Sequence, residues 1–269
     1  MSNLFYAFIV GLVQGISEWL PISSKTQVLL VSTILFGLPL NVALAFGLFM
    51  EIGSLGSATF YFRREIASLL RDRKLLVYLL VVTIVTGIEG VPLYLYAEDL
   101  LTGAYNLGIP MMILGSFLIA DSVYIRYSRK KPRSGSLSDL KMKHYIVIGA
   151  AQGLAALPGV SRSGMTVSTM LFMGVNPKDA FRLSYLAYIP AALGGFLTTI
   201  FFSRSELKVA LSNFDATGFA VAIVTAALVG IVAISALLRF AKRNDVYRVT
   251  FILGALAIAI GVLVAFGSI

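Results

Sequence analysis

The chain has 269 residues, 58% of them hydrophobic and 13% charged, with a mean hydropathy of +0.88. Soluble globular chains carry about 25% charged residues, and this one lacks the polar residues to cover a soluble surface, so it reads as a polytopic membrane protein. The absence of cysteine excludes disulfides, thiolate metal sites and cysteine nucleophiles, and the net charge of +9 is assigned to membrane topology rather than to a nucleic-acid partner.

The first segment, 4–36, is apolar but broken near its middle at Pro21 and the neighbouring polar residues. No cleavable signal peptide is expected, because residues 1–13 lack a basic n-region and run straight into this segment. Half of it, roughly 12 helical residues, is about 18 Å long against a hydrocarbon core of ~30 Å, which predicts a re-entrant helical hairpin. Three spans are predicted next, at 40–62, 75–97 and 105–127. A basic connector, 128–143, leads to a second broken segment, 144–174, and to spans at 180–203, 216–240 and 248–268. The expected fold is all-α and integral to the membrane: six transmembrane helices plus two re-entrant hairpins, arranged as repeats 1–127 and 144–269.

The broken segments look like copies of one design. Gln14-Gly15 precedes Pro21 and the hydroxyls of Ser23 and Ser24; Gln152-Gly153, 138 positions later, precedes Pro158-Gly159 and Ser161-Arg162-Ser163-Gly164. Ala45-Phe46-Gly47-Leu48 and Ala180-Phe181-Arg182-Leu183, each opening a span, add weaker support. Three spans per repeat is an odd number, so the second repeat is expected to be inverted. Basic loops at 63–74, 126–143 and 239–248 alternate with loops at 98–104 and 204–215 that have no excess of bases, which places the basic loops in the cytoplasm and both termini outside. The first hairpin then enters from outside and the second from the cytoplasm, with their tips meeting near the midplane, as in inverted-repeat transporters.

Gln14 and Glu18 are four residues apart and share a helix face. Ser23 and Ser24 fall where the next short helix begins, as do Ser161, Arg162, Ser163 and Gly164 in the second copy, with Thr166 close by. Helix starts attract anions, hydroxyls add donors and a guanidinium grips two phosphate oxygens, so a phosphate or diphosphate is the favoured ligand. Glu18 and Arg162 could instead be a packing ion pair. Each intramembrane charge costs about 2.5–3.5 kcal/mol, and a pair that only packs is no better than apolar side chains, so the functional reading is preferred. Ser17 and Ser168 are assigned to helix packing. Glu51 either helps hold a cation beside Glu18 or pairs with Lys25 or Arg162. Glu89 and Asp121, nearer span ends, are given solvated or structural roles, and the sole histidine, His144, none in catalysis.

At these residues the chain resembles the bacitracin-resistance type of undecaprenyl-diphosphate phosphatase. The family's Glu/Gln-x-x-x-Glu and Pro-x-Ser-Ser are matched by Gln14, Glu18, Pro21, Ser23 and Ser24. Its Pro-Gly-x-Ser-Arg-Ser-Gly-x-Thr is matched in full by Pro158, Gly159, Ser161, Arg162, Ser163, Gly164 and Thr166, and the likeness in segment order covers essentially the whole chain. The resemblance implies hydrolysis of a polyprenyl diphosphate to the lipid monophosphate and phosphate, recycling the carrier for envelope glycan synthesis. It also implies a multi-pass protein of the cell membrane, a site open to the outer face and a divalent cation, Mg²⁺ or Ca²⁺.

On this reading Glu18, Ser24 and Arg162 are catalytic, and Gln14, Ser23, Lys25, Gln27, Ser161, Ser163, Gly164 and Thr166 bind substrate. Glu18 and Glu51 would hold the cation, and either Ser24 or water activated by Glu18 is the nucleophile. The family's Ser-Ser-Thr-Gly-His is replaced here by Ser23-Ser24-Lys25-Thr26-Gln27, so no histidine acid or base operates at that position. Lys25 either offsets negative charge there or points to the outer aqueous mouth. Membrane lipids surround the protein, a homodimer is an allowed assembly, and a transporter or flippase of a phosphorylated lipid or anion is the alternative function.

Overall fold

The computed structural model describes residues 3–101, 108–128, 134–212, 216–240 and 246–266. Among these, regular structure is helical apart from one isolated bridge between Gly135 and Val175. The order is α1 (Asn3–Ser17), α2 (Ser24–Phe36), α3 (Leu40–Tyr61), α4 (Arg63–Ser68), α5 (Arg73–Leu101), α6 (Gly108–Ser128), α7 (Met142–Leu154), α8 (Arg162–Phe172), α9 (Pro177–Phe202), α10 (Arg204–Leu211), α11 (Ala216–Phe240) and α12 (Val246–Ala265), with a 3₁₀ turn at Leu137–Asp139. Six of these helices, α3, α5, α6, α9, α11 and α12, are long and apolar enough to cross a bilayer, as expected, and the chain is a multi-pass membrane protein.

The two broken segments become helix–break–helix units. α1 has 15 residues and α2 has 13, while α7 has 13 and α8 has 11. At 1.5 Å per residue none exceeds about 23 Å, so none alone crosses a core of ~30 Å. Pro21 has no N–H to continue the first helix, and the chain turns on Ser23, whose φ of 57° is left-handed, an uncommon conformation for a residue with a side chain. The second break passes through Pro158 and turns on Gly159 at φ 89°, which costs glycine little.

Packing exchanges these units between the halves. α1 lies on α11 through Gly11 and Gly15, where an added Cβ on Gly15 would stand 2.8 Å from Ala226 O. α7 lies on α5 through Gly149 and Gly153, where an added Cβ on Gly149 would stand 2.9 Å from Val82 O. Lipid supplies no hydrophobic drive for helix association, so the close approach that these glycine pairs permit is what holds each unit to the other half. α6 and α12 run antiparallel through Gly108 on Gly261 and Gly115 on Gly254, and α3 and α9 run antiparallel through Tyr188 on Glu51 and Leu48 on Gly195.

The core lies around the breaks. Trp19 is fully buried, with its ring edge-on to Tyr185 and Tyr188 at centroid distances of 5.1 and 5.2 Å. Large side chains such as Ile88, Val232 and Phe201 are exposed on the outside, where a bilayer would cover them. In the connector, Ser136 caps the 3₁₀ turn and Lys74 donates to Ser138 O at 2.6 Å. The basic run of Arg129, Lys130, Lys131 and Arg133 lies outside the described residues, as do Lys242 and Arg243.

Candidate active site

The breaks between α1 and α2 and between α7 and α8 meet, and four bonds cross between them. Arg162 Nη2 donates to Glu18 Oε1 at 2.8 Å, and Lys25 Nζ donates to Ala155 O at 2.6 Å. Ser163 Oγ donates to Leu20 O at 3.0 Å, and the Gly159 N–H donates to Thr26 Oγ1 at 2.7 Å. Each irregular backbone therefore completes its hydrogen bonding on the other, the condition for surviving at membrane depth.

Glu18 is the centre of the arrangement, 4% exposed. One carboxylate oxygen takes Arg162; the other accepts from Ser24 Oγ at 2.6 Å and from Gln14 Nε2 at 3.0 Å. Gln14 Nε2 also donates to Ser54 Oγ at 3.1 Å, fixing the amide between α1 and α3. Arg162 stacks over Tyr188, its guanidinium carbon 4.4 Å from the ring centroid, and Nη1 reaches Ser184 O and Oγ at 3.3 Å. Thr166 Oγ1 bonds Arg162 O and Ser184 Oγ, at 2.8 and 2.6 Å, behind the arginine. Arg162 Nε is buried without a hydrogen-bond partner among the described residues.

A cavity of about 160 Å³ opens beside this cluster, with Glu18, Ser24, Lys25, Glu51, Ser161 and Arg162 on its polar side. Its walls are small residues of α5 and α9, among them Gly87, Gly90, Ala191 and Gly194. Lys25 is buried and aimed at the second break rather than at an aqueous mouth, with its ammonium 4.0 Å from Glu51 Oε1.

Not every candidate residue reaches the cavity. Gln27 bonds Ile22 O at 3.0 Å and braces the first break, whereas Ser23 lines the cavity and its Oγ bonds Thr26 Oγ1 at 2.9 Å. Gly164 packs on Asp121, where a Cβ would stand 2.7 Å from a carboxylate oxygen. Ser17 donates to Val13 O within α1, Ser168 is buried in α8, and Glu89 packs on Gly153. His144 Nδ1 accepts from Lys141 N at 3.0 Å and starts α7.

The two helix starts differ. At α8, Ser161 Oγ accepts the Gly164 N–H at 3.2 Å and Asp121 Oδ2 accepts the Ser161 N–H at 3.1 Å, so a carboxylate of the protein already sits at this positive helix end. At α2, Ser23 makes no side-chain cap, and the first-turn residues Ser24 and Lys25 face the cavity. Both starts border the cavity, through Ser24 and Lys25 and through Ser161 and Arg162, but only the α8 start is capped by its own side chain.

The sequence reading missed Asp121 as the residue seating the arginine turn, Thr26 as the link between breaks, and Tyr188 and Ser184 beneath Arg162. Only the glycine pairs had a local signal: Gly-x-x-x-Gly stands at Gly11–Gly15 and at Gly149–Gly153.

Fold and site together define a polytopic membrane protein with a buried acid–serine–arginine cluster closed by two broken helices. Residues 7–262 match the family model described as bacitracin resistance protein BacA, and the chain belongs to that family. A protein of Sulfurisphaera tokodaii named undecaprenyl-diphosphatase is 58% identical over 261 residues, 97% of this chain and 98% of its own. One of the same name from Saccharolobus islandicus strain Y.N.15.51 is 52% identical over 261 residues, with the same coverage. Another, from Pyrobaculum aerophilum, is 38% identical over 271 residues, 97% of this chain and 98% of its own.

Proposed function

We propose that this chain hydrolyses a polyprenyl diphosphate of the undecaprenyl type to the lipid monophosphate and inorganic phosphate, recycling a lipid carrier for envelope glycan synthesis. The observation that carries this reading is the Glu18 carboxylate held between Ser24 Oγ at 2.6 Å and Arg162 Nη2 at 2.8 Å, with the cavity alongside. Family membership and relatives named undecaprenyl-diphosphatase support the same activity.

In this mechanism Ser24 Oγ attacks the terminal phosphorus while Glu18 accepts its proton, the nucleophile–base contact that activates a hydroxyl. The bond from phosphorus to the bridging oxygen breaks, and the lipid monophosphate leaves. Glu18 gives that proton up to the departing monophosphate. Water then attacks the phosphoserine phosphorus while Glu18 takes a proton from it and returns one to Ser24 Oγ as the P–O bond breaks, releasing phosphate. Arg162 turns its Nε and Nη donors on the transferred group and neutralises charge there; the α2 start and Lys25 hold the second phosphate. Ser161 and Ser163 shape the turn, and Thr166 keeps Arg162 in place.

A divalent cation belongs to the proposal in a limited way. Among the described residues no cluster of three or more His, Asp or Glu forms a cage. Mg²⁺ needs only one or two carboxylates when phosphates and water complete its shell; Glu51 and Glu18, both bordering the cavity, would hold it, and the ion would supply charge neutralisation. The site opens to the outer face of the cell membrane, following the charge of the loops, and the two halves are inverted repeats.

Phosphate release from a C55 diphosphate by purified protein in detergent, with Mg²⁺ or Ca²⁺ supplied, tests the reading. Glu18→Ala is expected to lower the rate by at least about 10²-fold. A wild type that releases no phosphate, or a Glu18→Ala protein as active as wild type, overturns it and leaves transport of a phosphorylated lipid as the reading to pursue.

A further inference from the structure

Beside the polar cavity lies a second one of about 430 Å³, almost wholly apolar, between α3, α4, α5 and α9. Leu75, Leu79, Leu186 and Ile189 line it, and Leu80 and Leu193, about half exposed, stand on its membrane side. Two residues, Thr83 and Pro190, line both cavities, so the apolar groove adjoins the acid–serine–arginine site. One turn beyond Thr83 and Pro190, Gly87 and Gly194 face open space: a Cβ added to either would meet nothing within 4 Å.

We propose that this groove seats the first isoprenoid units of the lipid diphosphate, the open space at Gly87 and Gly194 being the door through which the head group passes. The inference rests on the diphosphatase reading and goes beyond it by placing the chain.

Direction supports the assignment. From Thr83 the groove follows α5 back to Leu75, about 12 Å at 1.5 Å per residue, and ends where Glu65 of α4 pairs with Arg182 at 3.6 Å. The polar cavity extends the opposite way, to Tyr94 and Thr198. The groove thus runs toward the basic loop at 63–74 and the polar cavity away from it. With basic loops in the cytoplasm, a substrate lying in both has its phosphates outward and its chain inward, the posture of a lipid in the outer leaflet.

Leaving bilayer for groove gains no hydrophobic energy, because lipid tails are as apolar as leucine. The groove's contribution is alignment: it fixes where the diphosphate arrives relative to Glu18 and Arg162.

The test uses the full chain in detergent and a polyprenyl diphosphate carrying a photoreactive diazirine in its first isoprenoid units. Adducts are expected on residues 75–83 of α5 and 186–193 of α9, lost when unlabelled C55 diphosphate competes. Adducts confined to 87–94 and 194–198, or insensitive to competition, overturn the proposal. The double variant Leu80→Trp/Leu193→Trp narrows the groove from its membrane side. It should lower kcat/KM for the C55 substrate about tenfold while inhibition by methylenediphosphonate, which has no chain, changes less than about twofold. An equal loss for both, or none for either, rejects it. Competed adducts in the groove of a wild type that releases no phosphate would uphold the groove and reject the diphosphatase reading alone.

Discussion

Ser23 and Ser161 stand 138 positions apart and each immediately precedes a helix, yet the two breaks treat that position in opposite ways. Ser161 has ordinary extended backbone, caps its own helix and is held by Asp121; Ser23 is left-handed and makes no side-chain cap. The next position carries Arg162 in one copy and Ser24 in the other. The second break is thus finished internally and presents a firmly seated cation. The first keeps an uncapped helix start and a left-handed residue beside Ser24, the kind of place where strain is stored. The two breaks share a helix–break–helix design, and they differ in how the polar groups at each helix start are satisfied.

The largest effect that would break this comparison is at Arg162. Arg162→Ala should cut phosphate release by about 10²–10³-fold, the scale for removing a principal donor to transferred-group charge. Arg162→Lys should recover little, because a single ammonium cannot replace the planar fork. Lys25→Ala, the cation of the first break, should cost clearly less; equal losses would mean that both breaks bind phosphate alike. Ser24→Ala should abolish the phosphoserine found by mass spectrometry after rapid quench and leave at most about 1% of the rate, residual turnover coming from water. Undiminished turnover would hand the nucleophile's role to water.

Next come the helix contacts. Gly15→Leu and Gly153→Leu press side chains into equivalent helix contacts and should each destabilise by at least about 1–3 kcal/mol, read as a lower unfolding temperature in detergent. Similar losses at both sites would show that the two contacts are energetically matched even where the chemistry is not. Thr26→Val, which strands the Gly159 N–H, should cost about 1–3 kcal/mol of stability, with Gln27→Ala the smallest effect. That loss should exceed Gln27→Ala, since Gln27 bonds only within its own break.

Much of the fold was legible because apolar run length and charge alternation are one-dimensional signals. The six spans and two interrupted segments follow from them, while the proposed roles of Glu18, Ser24 and Arg162 rest on the residues around the two prolines, which the fold brings together. The register of the copies was less legible: prolines suggest pairing Pro21 with Pro158, whereas the helix starts pair Ser23 with Ser161 and set Pro21 against Gly159. Asp121 was out of reach, because its role comes from α6 crossing the start of α8, 40 positions away in sequence. Tyr188 reads as one more aromatic in a span until α9 places its ring beneath a guanidinium. Residues whose function is to satisfy another residue at long range leave no local mark.

The crossing of bonds between the two breaks also has a consequence for how the protein is made. Leu20 O, Thr26 Oγ1 and Glu18 receive their partners from Gly159, Arg162 and Ser163, which are synthesised about 138 residues later. At 5–20 residues per second, the first unit waits on the order of 10 s with only its local partners for Glu18 and Thr26 and without the Ser163 donor to Leu20 O. It also waits for α11, the helix on which Gly11 and Gly15 dock. Until then the first broken segment has no dry resting place at its final depth, so its seating in the membrane is an event of late synthesis.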